Sequence, residues 1–369
     1  MNKNLENGQN TGLITPKPAP LDFIAGVETG IPFEVRNDSK DWRKFYPSDE
    51  YQFRRGYFDS QSCVTFYQLN ALETQIQYLL DTGKIPEDKR ILMTNLGYFD
   101  DNGKVNFNES YTATLSGTTA KGNTFQAVAD SMRAYGVIPQ KKHHQIEDCV
   151  SIDDFLNRDL ITPEMIALGK RFLDIFDVKY EWVVLGELNQ QETIARHIQH
   201  APLGFAVPTG LNWSDEGIID NKSLSSNHAV MNGIVSMGSY FGILDNYEPF
   251  QKMLAWGYSI PYVFKLVVSV KTPPKPAPAH FTYKWTRDLK VGSTGYDVTM
   301  LQKGLAHLGF FKLGYFTEYF GEYTKNALIA FQQSERGNRE ILIPAGITDG
   351  KGTGNFKKFT MDWFNKYFS

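Results

Sequence analysis

The sequence predicts an α+β protein joined to a small all-α domain of three helices. Three observations carry this. A run without glycine or proline follows Ser62 and has its apolar residues at helical spacing. Segments of β type gather later, between residues 180 and 270. Alternating prolines from Val270 to Ala279 then separate this region from a stretch with helical periodicity only. Long helices first and strands later point to α+β rather than to a doubly wound sheet. A chain of 369 residues exceeds what one hydrophobic core usually holds, so two domains are expected.

The elements follow in order. Residues 1–20 are rich in Asn, Gly and Pro and read as a mobile tail before a first domain over 21–270. From Cys63, residues Val64, Tyr67, Ala71, Leu72, Ile76, Leu79 and Leu80 form one helical stripe, and Gly83 is its stop. Thr162-Pro163-Glu164 is a helix start, with a capping hydroxyl, proline in the first turn and an acid near the positive end of the dipole; the helix runs to about Phe176. A strand over 180–185 and a helix over about 190–200 come next. Strands are then expected at 204–207, 228–235, 240–244 and 262–270. Residues 271–281 form a proline-rich linker, whose alternating prolines disfavour helix and remove sheet donors. At ~3.1 Å per residue, ten such residues span roughly 30 Å. Over 282–369, Asp297, Val298, Leu301, Leu305 and Leu308 mark one helix stopped by Gly309. Thr324, Ala327, Leu328 and Phe331 mark a second, and a third runs from about Asn355 to Tyr367.

Composition narrows the function. The formal net charge of -3 gives no electrostatic case for nucleic acid or an anionic membrane as partner. Two cysteines, Cys63 and Cys149, exclude a disulfide-dense scaffold. The first twenty residues contain no apolar run of secretory type, and no apolar stretch is long enough to span a bilayer. His143, His144, Glu147, Asp148 and Cys149 match no standard zinc spacing, and His197 with His200 lacks a third ligand. No phosphate-binding glycine loop, GxSxG or HExxH occurs. Neither a cofactor nor a metal is expected.

The chemistry that remains is that of a thiol. Cys63 stands where the first long helix begins, and a helix N-terminus and a nearby imidazolium both favour thiolate. His228 opens an apolar strand and, at a sheet edge, would face a thiol across a cleft. Asn246 ends the next strand, 18 residues on, and on an antiparallel hairpin its side-chain oxygen would hold one ring nitrogen of His228.

These residues carry a resemblance. Asp41-Trp42-Arg43, Ser62-Cys63-Val64-Thr65-Phe66, Gly122 to Val137, Pro202 to Val207, Gly217-Ile218-Ile219, Asn227-His228-Ala229-Val230 and Asp245-Asn246-Tyr247 resemble, in order, the motifs of the papain-like cysteine peptidases. The similarity covers about residues 38–270. It implies a two-lobed fold, a helical lobe and a β-barrel-like sheet lobe, with Cys63 as nucleophile, His228 as general base and Asn246 as the residue orienting it. The chain departs from the family at several points. Tyr57 stands where the family places its oxyanion glutamine, Val64 replaces the tryptophan after the nucleophile, and the tryptophan after Asn246 is missing. Gln61, two residues before Cys63, is taken as the oxyanion donor; Gln52 lies eleven before it. Cys63 and His228 are 165 residues apart, against roughly 130–150 in papain relatives. Too few residues precede Asp41 for the family's inhibitory pro-segment, so zymogen control of that kind is not expected.

The C-terminal stretch is similar to the three-helix peptidoglycan-binding domain, through Gly292-Ser293, Gly295, Asp297-Val298, Leu301-Gln302, Leu308-Gly309, Phe320-Gly321, Phe331-Gln332 and Gly346 to Gly350. Together the two resemblances imply a cysteine peptidase, acting as a monomer, that is held on bacterial cell wall and cuts peptidoglycan peptides. A lysin-like, phage-encoded enzyme released from the cytoplasm or from a virion fits the missing signal peptide. The alternatives are a wall-anchored protease acting on proteins, and a non-catalytic wall-binding or virion protein with a decayed peptidase fold.

Overall fold

The computed structural model describes residues 9, 11–15, 31, 33–185, 190–210, 212–215, 217–271, 282–311 and 316–368. The linker expected over 271–281 lies almost wholly outside them, as does most of the expected tail. The chain divides into two compact units, Met1–Lys271 and Thr272–Ser369.

The first unit is built around the helix that begins at the cysteine, α1 (Cys63–Asp81). Its apolar side chains point all round, which requires a buried helix. Among its residues only Gln77, Leu80 and Asp81 escape full burial. Several of its inward polar groups are therefore tied to backbone. Gln68 donates to the Phe125 carbonyl (2.7 Å), Gln75 to the Leu266 carbonyl (3.0 Å), and Glu73 accepts from the Phe107 N–H (2.7 Å). Helices α2 (Glu87–Leu96), α3 (Glu109–Leu115), α4 (Phe125–Tyr135) and α5 (Pro163–Ile175) make up most of the remaining helical part, with short turns between them. The expected cap at Thr162 is formed, its hydroxyl accepting from the Met165 N–H (3.3 Å). Asn108 and Thr124 cap α3 and α4 in the same way.

A two-stranded ribbon, β1 (Phe53–Arg54) with β2 (Phe58–Asp59), precedes α1. The remaining strands are β3 (Phe176–Val183), β4 (Leu203–Val207), β5 (Ile218–Ile219), β6 (His228–Ser236), β7 (Tyr240–Leu244), β8 (Gln251–Ala255) and β9 (Tyr262–Val270). They form one seven-stranded sheet in the order β3-β9-β4-β6-β7-β8-β5, antiparallel except for the β5–β8 pair. The short helix after β3, α6 (Gln190–His197), is three residues shorter than expected. β3 begins at Phe176, four residues early, because each of its residues pairs with β9, from Phe176 with Val270 to Val183 with Val263. Helix α1 lies across β4, β6 and β9. Val64, Tyr67, Leu72 and Ile76 share one core with Phe205, Val230, Phe264 and Leu266. Gly204 allows that approach: a Cβ there would lie 2.1 Å from the Tyr67 ring, whose hydroxyl donates to the Phe264 carbonyl (3.2 Å).

The second unit packs α7 (Tyr296–His307), α8 (Glu322–Gln333) and α9 (Lys358–Tyr367) around Trp285, Leu301, Leu305, Leu328, Phe331, Phe356 and Phe364. An additional short helical segment, which the sequence did not lead us to expect, spans Glu335–Leu342. Two buried glutamines brace the helices alike. Gln302 of α7 donates to Thr324 in the first turn of α8 (3.0 Å), and Gln332 of α8 donates to Thr360 in the first turn of α9 (3.0 Å).

Candidate active site

Cys63 is the first residue of α1 and is buried. Its sulfur lies within hydrogen-bond reach of the Ala229 N–H and of the Thr11 hydroxyl, contacts that favour thiolate. Burial outweighs both and, with Asp59 and Asp245 nearby, pushes the thiol well above its ordinary value. Since Ala229 follows His228, β6 carries the imidazole to the helix N-terminus. His228 sits at the first position of an interior strand, between β4 and β7, and not at the sheet's edge as expected.

The imidazole is completely buried and both of its nitrogens are engaged. Nε2 lies 2.8 Å from Asp245 Oδ1, and Nδ1 lies 2.6 Å from Thr11 Oγ1. The Asp245 carboxylate can only accept, so Nε2 carries the hydrogen and Nδ1 presents its lone pair to the Thr11 hydroxyl. Asp245 also accepts from Lys252 Nζ (2.8 Å), Trp213 Nε1 (2.9 Å) and the Asn246 N–H (2.8 Å). Burial alone would raise its pKa. The Lys252 ammonium, His228 and these hydrogen bonds overcome burial and hold the carboxyl well below its usual range. Lys252 is itself driven down by burial, against the pull of Asp245. Trp213 meets the imidazole edge-on at 5.7 Å and Tyr247 packs on it at 5.5 Å, which fixes the ring plane.

This geometry corrects the expected partner of His228. The carboxamide of Asn246 does not touch the ring. Its oxygen accepts from Asn70 Nδ2 (3.0 Å) and its NH2 donates to the Glu50 carbonyl (2.9 Å). Asn246 thus ties α1 to the segment before β1, and the residue before it reaches the histidine. The chain leaves the ladder at Leu244, so strand alternation no longer decides which side chain turns inward.

The two glutamines before Cys63 are held differently. Gln61 sits at positive φ (53°), and its N–H donates to Asp59 Oδ1 (3.0 Å). Gln52 is completely buried, and its carboxamide reaches the Thr11 backbone. Its Nε2 lies 3.1 Å from the Thr11 carbonyl, 3.2 Å from Asp59 Oδ1 and 2.6 Å from the Tyr247 hydroxyl. The ribbon β1–β2 explains the spacing. It folds 53–59 back on itself, and the Ser60 N–H donates to the Gln52 carbonyl (3.0 Å), so Gln52 comes beside the turn into α1.

Thr11 was not singled out by any sequence signal. It lies in the stretch read as a mobile tail, yet Thr11 and Leu13 are buried against the site. The other clusters are structural. His143 stacks on His144 at 4.0 Å, and the Cys149 thiol donates to the Gln145 carbonyl (3.2 Å). His197 and His200 face Lys265, which is paired with Glu181.

Residues 294–338 match the family described as "Putative peptidoglycan binding domain". No curated protein matches the chain. Among solved structures, the chain is similar to the proform of the Amb a 11 cysteine protease, a ragweed pollen allergen, at 14% identity and a TM-score of 0.43 over 69% of this chain and 73% of that one. It is similar to digestive procathepsin L 3 of Tenebrio molitor at 14% identity and a TM-score of 0.42 over 72% and 76%. It is also similar to xylellain, a cysteine protease from Xylella fastidiosa, at 13% identity and a TM-score of 0.43 over 73% and 98%.

Proposed function

We propose that the first unit is a cysteine peptidase and that the second holds it on bacterial cell wall, where it cleaves peptide bonds of peptidoglycan. The observation that carries the first part is the Thr11 hydroxyl, which touches both the Cys63 sulfur and His228 Nδ1. A thiol and the lone pair of an imidazole therefore stand within one hydroxyl's reach, with the other ring nitrogen fixed on Asp245. The matched region at residues 294–338 supports the second part.

In this reading His228 Nδ1 takes the thiol proton and Cys63 attacks the scissile carbonyl carbon. The oxygen that gains charge is met by Gln52 Nε2 and by the Cys63 N–H at the start of α1. The imidazolium returns its proton to the leaving amine, which leaves a thioester on Cys63. Water, deprotonated by Nδ1, then hydrolyses the thioester and frees the acid. Asp245, rather than Asn246, keeps the ring in the required tautomer and stabilises it while charged. Binding to the wall raises the local concentration of scissile bonds.

The test is digestion of purified bacterial sacculi and of casein, side by side, by the chain with and without residues 1–15 and by the Cys63→Ala forms of both. New amino termini from sacculi, absent with Cys63→Ala, support a peptidoglycan peptidase. Cleavage of casein alone would support a protease of proteins. Cleavage of neither, while the chain still pellets with sacculi, would leave a wall-binding protein and refute the peptidase.

A further inference from the structure

The Asp245 carboxylate is filled on both oxygens. His228 Nε2 and the Asn246 N–H reach Oδ1, and Lys252 Nζ and Trp213 Nε1 reach Oδ2. A carboxylate offers about four lone-pair sites, so none is left for a proton. Lys252 is saturated in the same way. Its side chain is 1% exposed, and Nζ donates to Asp245 Oδ2 (2.8 Å), to the Tyr247 carbonyl (2.7 Å) and to the Pro249 carbonyl. These acceptors together use every hydrogen of an ammonium, and a neutral amine would leave one of them unmet. The Trp213 ring, with its centroid 5.6 Å from Nζ, adds a cation–π contact. Lys252 arrives there as the second residue of β8, where strand alternation buries it together with Leu254. All of its acceptors lie in the connection from β7 to β8, whose ends are joined by the Asp245 N–H donating to the Phe250 carbonyl (2.7 Å).

We propose that Lys252 is a positioning residue of the active site, whose ammonium is the counter-charge that lets a carboxylate hold His228 without trapping the ring as imidazolium. The proposal rests on the peptidase reading above, in which His228 takes a proton from Cys63 and then gives it up to the leaving amine. A bare buried carboxylate against Nε2 would favour the charged ring and oppose the second transfer. With Lys252 on its other oxygen, Asp245 still fixes the tautomer through its hydrogen bond, while the ion pair brings no net charge to the ring. The other ionisable groups around this pair and the imidazole are Cys63 at the start of α1, Asp59 at the end of β2, and Tyr247, whose hydroxyl donates to Asp59 Oδ2 (2.6 Å). None of them is a cation. Among the described residues, Lys252 is therefore the one lasting positive charge paired with Asp245, since His228 is charged only when protonated.

The test is the pH titration of the His228 ring in the full chain, read by NMR from its ring-nitrogen shifts and assigned by their loss in His228→Gln. Lys252→Met and Lys252→Gln should each raise the midpoint by about 1 pH unit or more, because the carboxylate then faces the ring uncompensated. Lys252→Gln keeps a donor for the same acceptors, so it separates charge from hydrogen bonding. Asp245→Asn should move the midpoint down, and Asp245→Asn with Lys252→Met should return it close to wild type. The alkaline limb of sacculus digestion should shift in the same order. Should Lys252→Met fail to fold, Lys252→Gln and the double variant carry the same test. A midpoint unmoved in Lys252→Gln and in Asp245→Asn, or moved in the same direction by both, would overturn the proposal. The expected shifts without any hydrolysis that depends on Cys63 would keep the counter-charge and sink the peptidase. Hydrolysis lost in Cys63→Ala, with one midpoint shared by all variants, would keep the peptidase and sink the counter-charge.

Discussion

Replacing Asp245 by Asn tests the buried network behind the histidine. The carboxamide oxygen of an asparagine still accepts from His228 Nε2. Its NH2 then turns toward Lys252 Nζ and Trp213 Nε1, both of which are donors now held by Asp245 Oδ2. Lys252 and Asp245 each expose 1% of their side chains, so the ammonium loses its only anionic partner among the described residues in a site that water does not reach. Leaving one member of a buried ion pair costs about 3–5 kcal/mol. For a unit of this size, each kcal/mol lowers the melting temperature by roughly 2–4 °C, so a fall of about 6–20 °C is expected. Adding Lys252→Met removes the stranded charge and should restore most of the loss. The sign with pH is fixed. The folded Asp245 pKa is depressed, so its stabilisation is present above the unfolded value of about 3.9 and lost as pH falls below it. The acid limb of the wild-type stability curve should therefore be shallower in Asp245→Asn. Calorimetry or circular dichroism between pH 2 and 8 reads all of this. A loss under about 1 kcal/mol, or a double variant no more stable than the single one, would refute the reasoning.

Three further outcomes are expected. In a chain freed of residues 1–15, Gln52→Ala should lower kcat about 10²–10³-fold with little change in KM, while Gln61→Ala should not; steady-state kinetics on a peptide substrate decides between them. Gly204→Ala should cost about 1–3 kcal/mol, because its methyl would overlap the Tyr67 ring, and urea unfolding would show it. Glu73 is buried beside Glu109, and burial first, then that neighbour, raise its pKa well above the ordinary value. Its contribution is therefore intact below the unfolded pKa and lost as pH rises through the folded one, so Glu73→Gln should stabilise the protein more at pH 8 than at pH 4 in thermal unfolding.

Much of the scaffold was legible in the sequence because its signals are local. The glycine- and proline-free run after Ser62, the Thr162-Pro163 cap and the apolar segments at 203–207, 240–244 and 262–270 each state their own conformation. Of the proposed site, the sequence singles out only residues that sit on such elements, Cys63 and His228. Asp245 was missed by one position, since it lies just past the last ladder pair and periodicity says nothing there. Gln52 was passed over because its distance from Cys63 was counted along the chain, while the β1–β2 ribbon closes that distance in space. Strand β8, at Gln251–Ala255, carries too short an alternation to be picked out alone. Thr11 had no signal at all. Its binding uses backbone groups that every residue has, and only the facing glycines, Gly12 and Gly122, hint at the close approach.

The pairing of Cys63 with His228 is tested most directly by the pH dependence of Cys63 alkylation in the chain lacking residues 1–15, with and without His228→Ala. With the Thr11 hydroxyl gone, thiol and imidazole share a proton, so the rate should stay high down to about pH 6 and inflect well below the ordinary thiol value of about 8.5. His228→Ala should return the inflection to that value or above. An inflection at or above pH 8.5 in both chains would mean that the two side chains do not form a working pair.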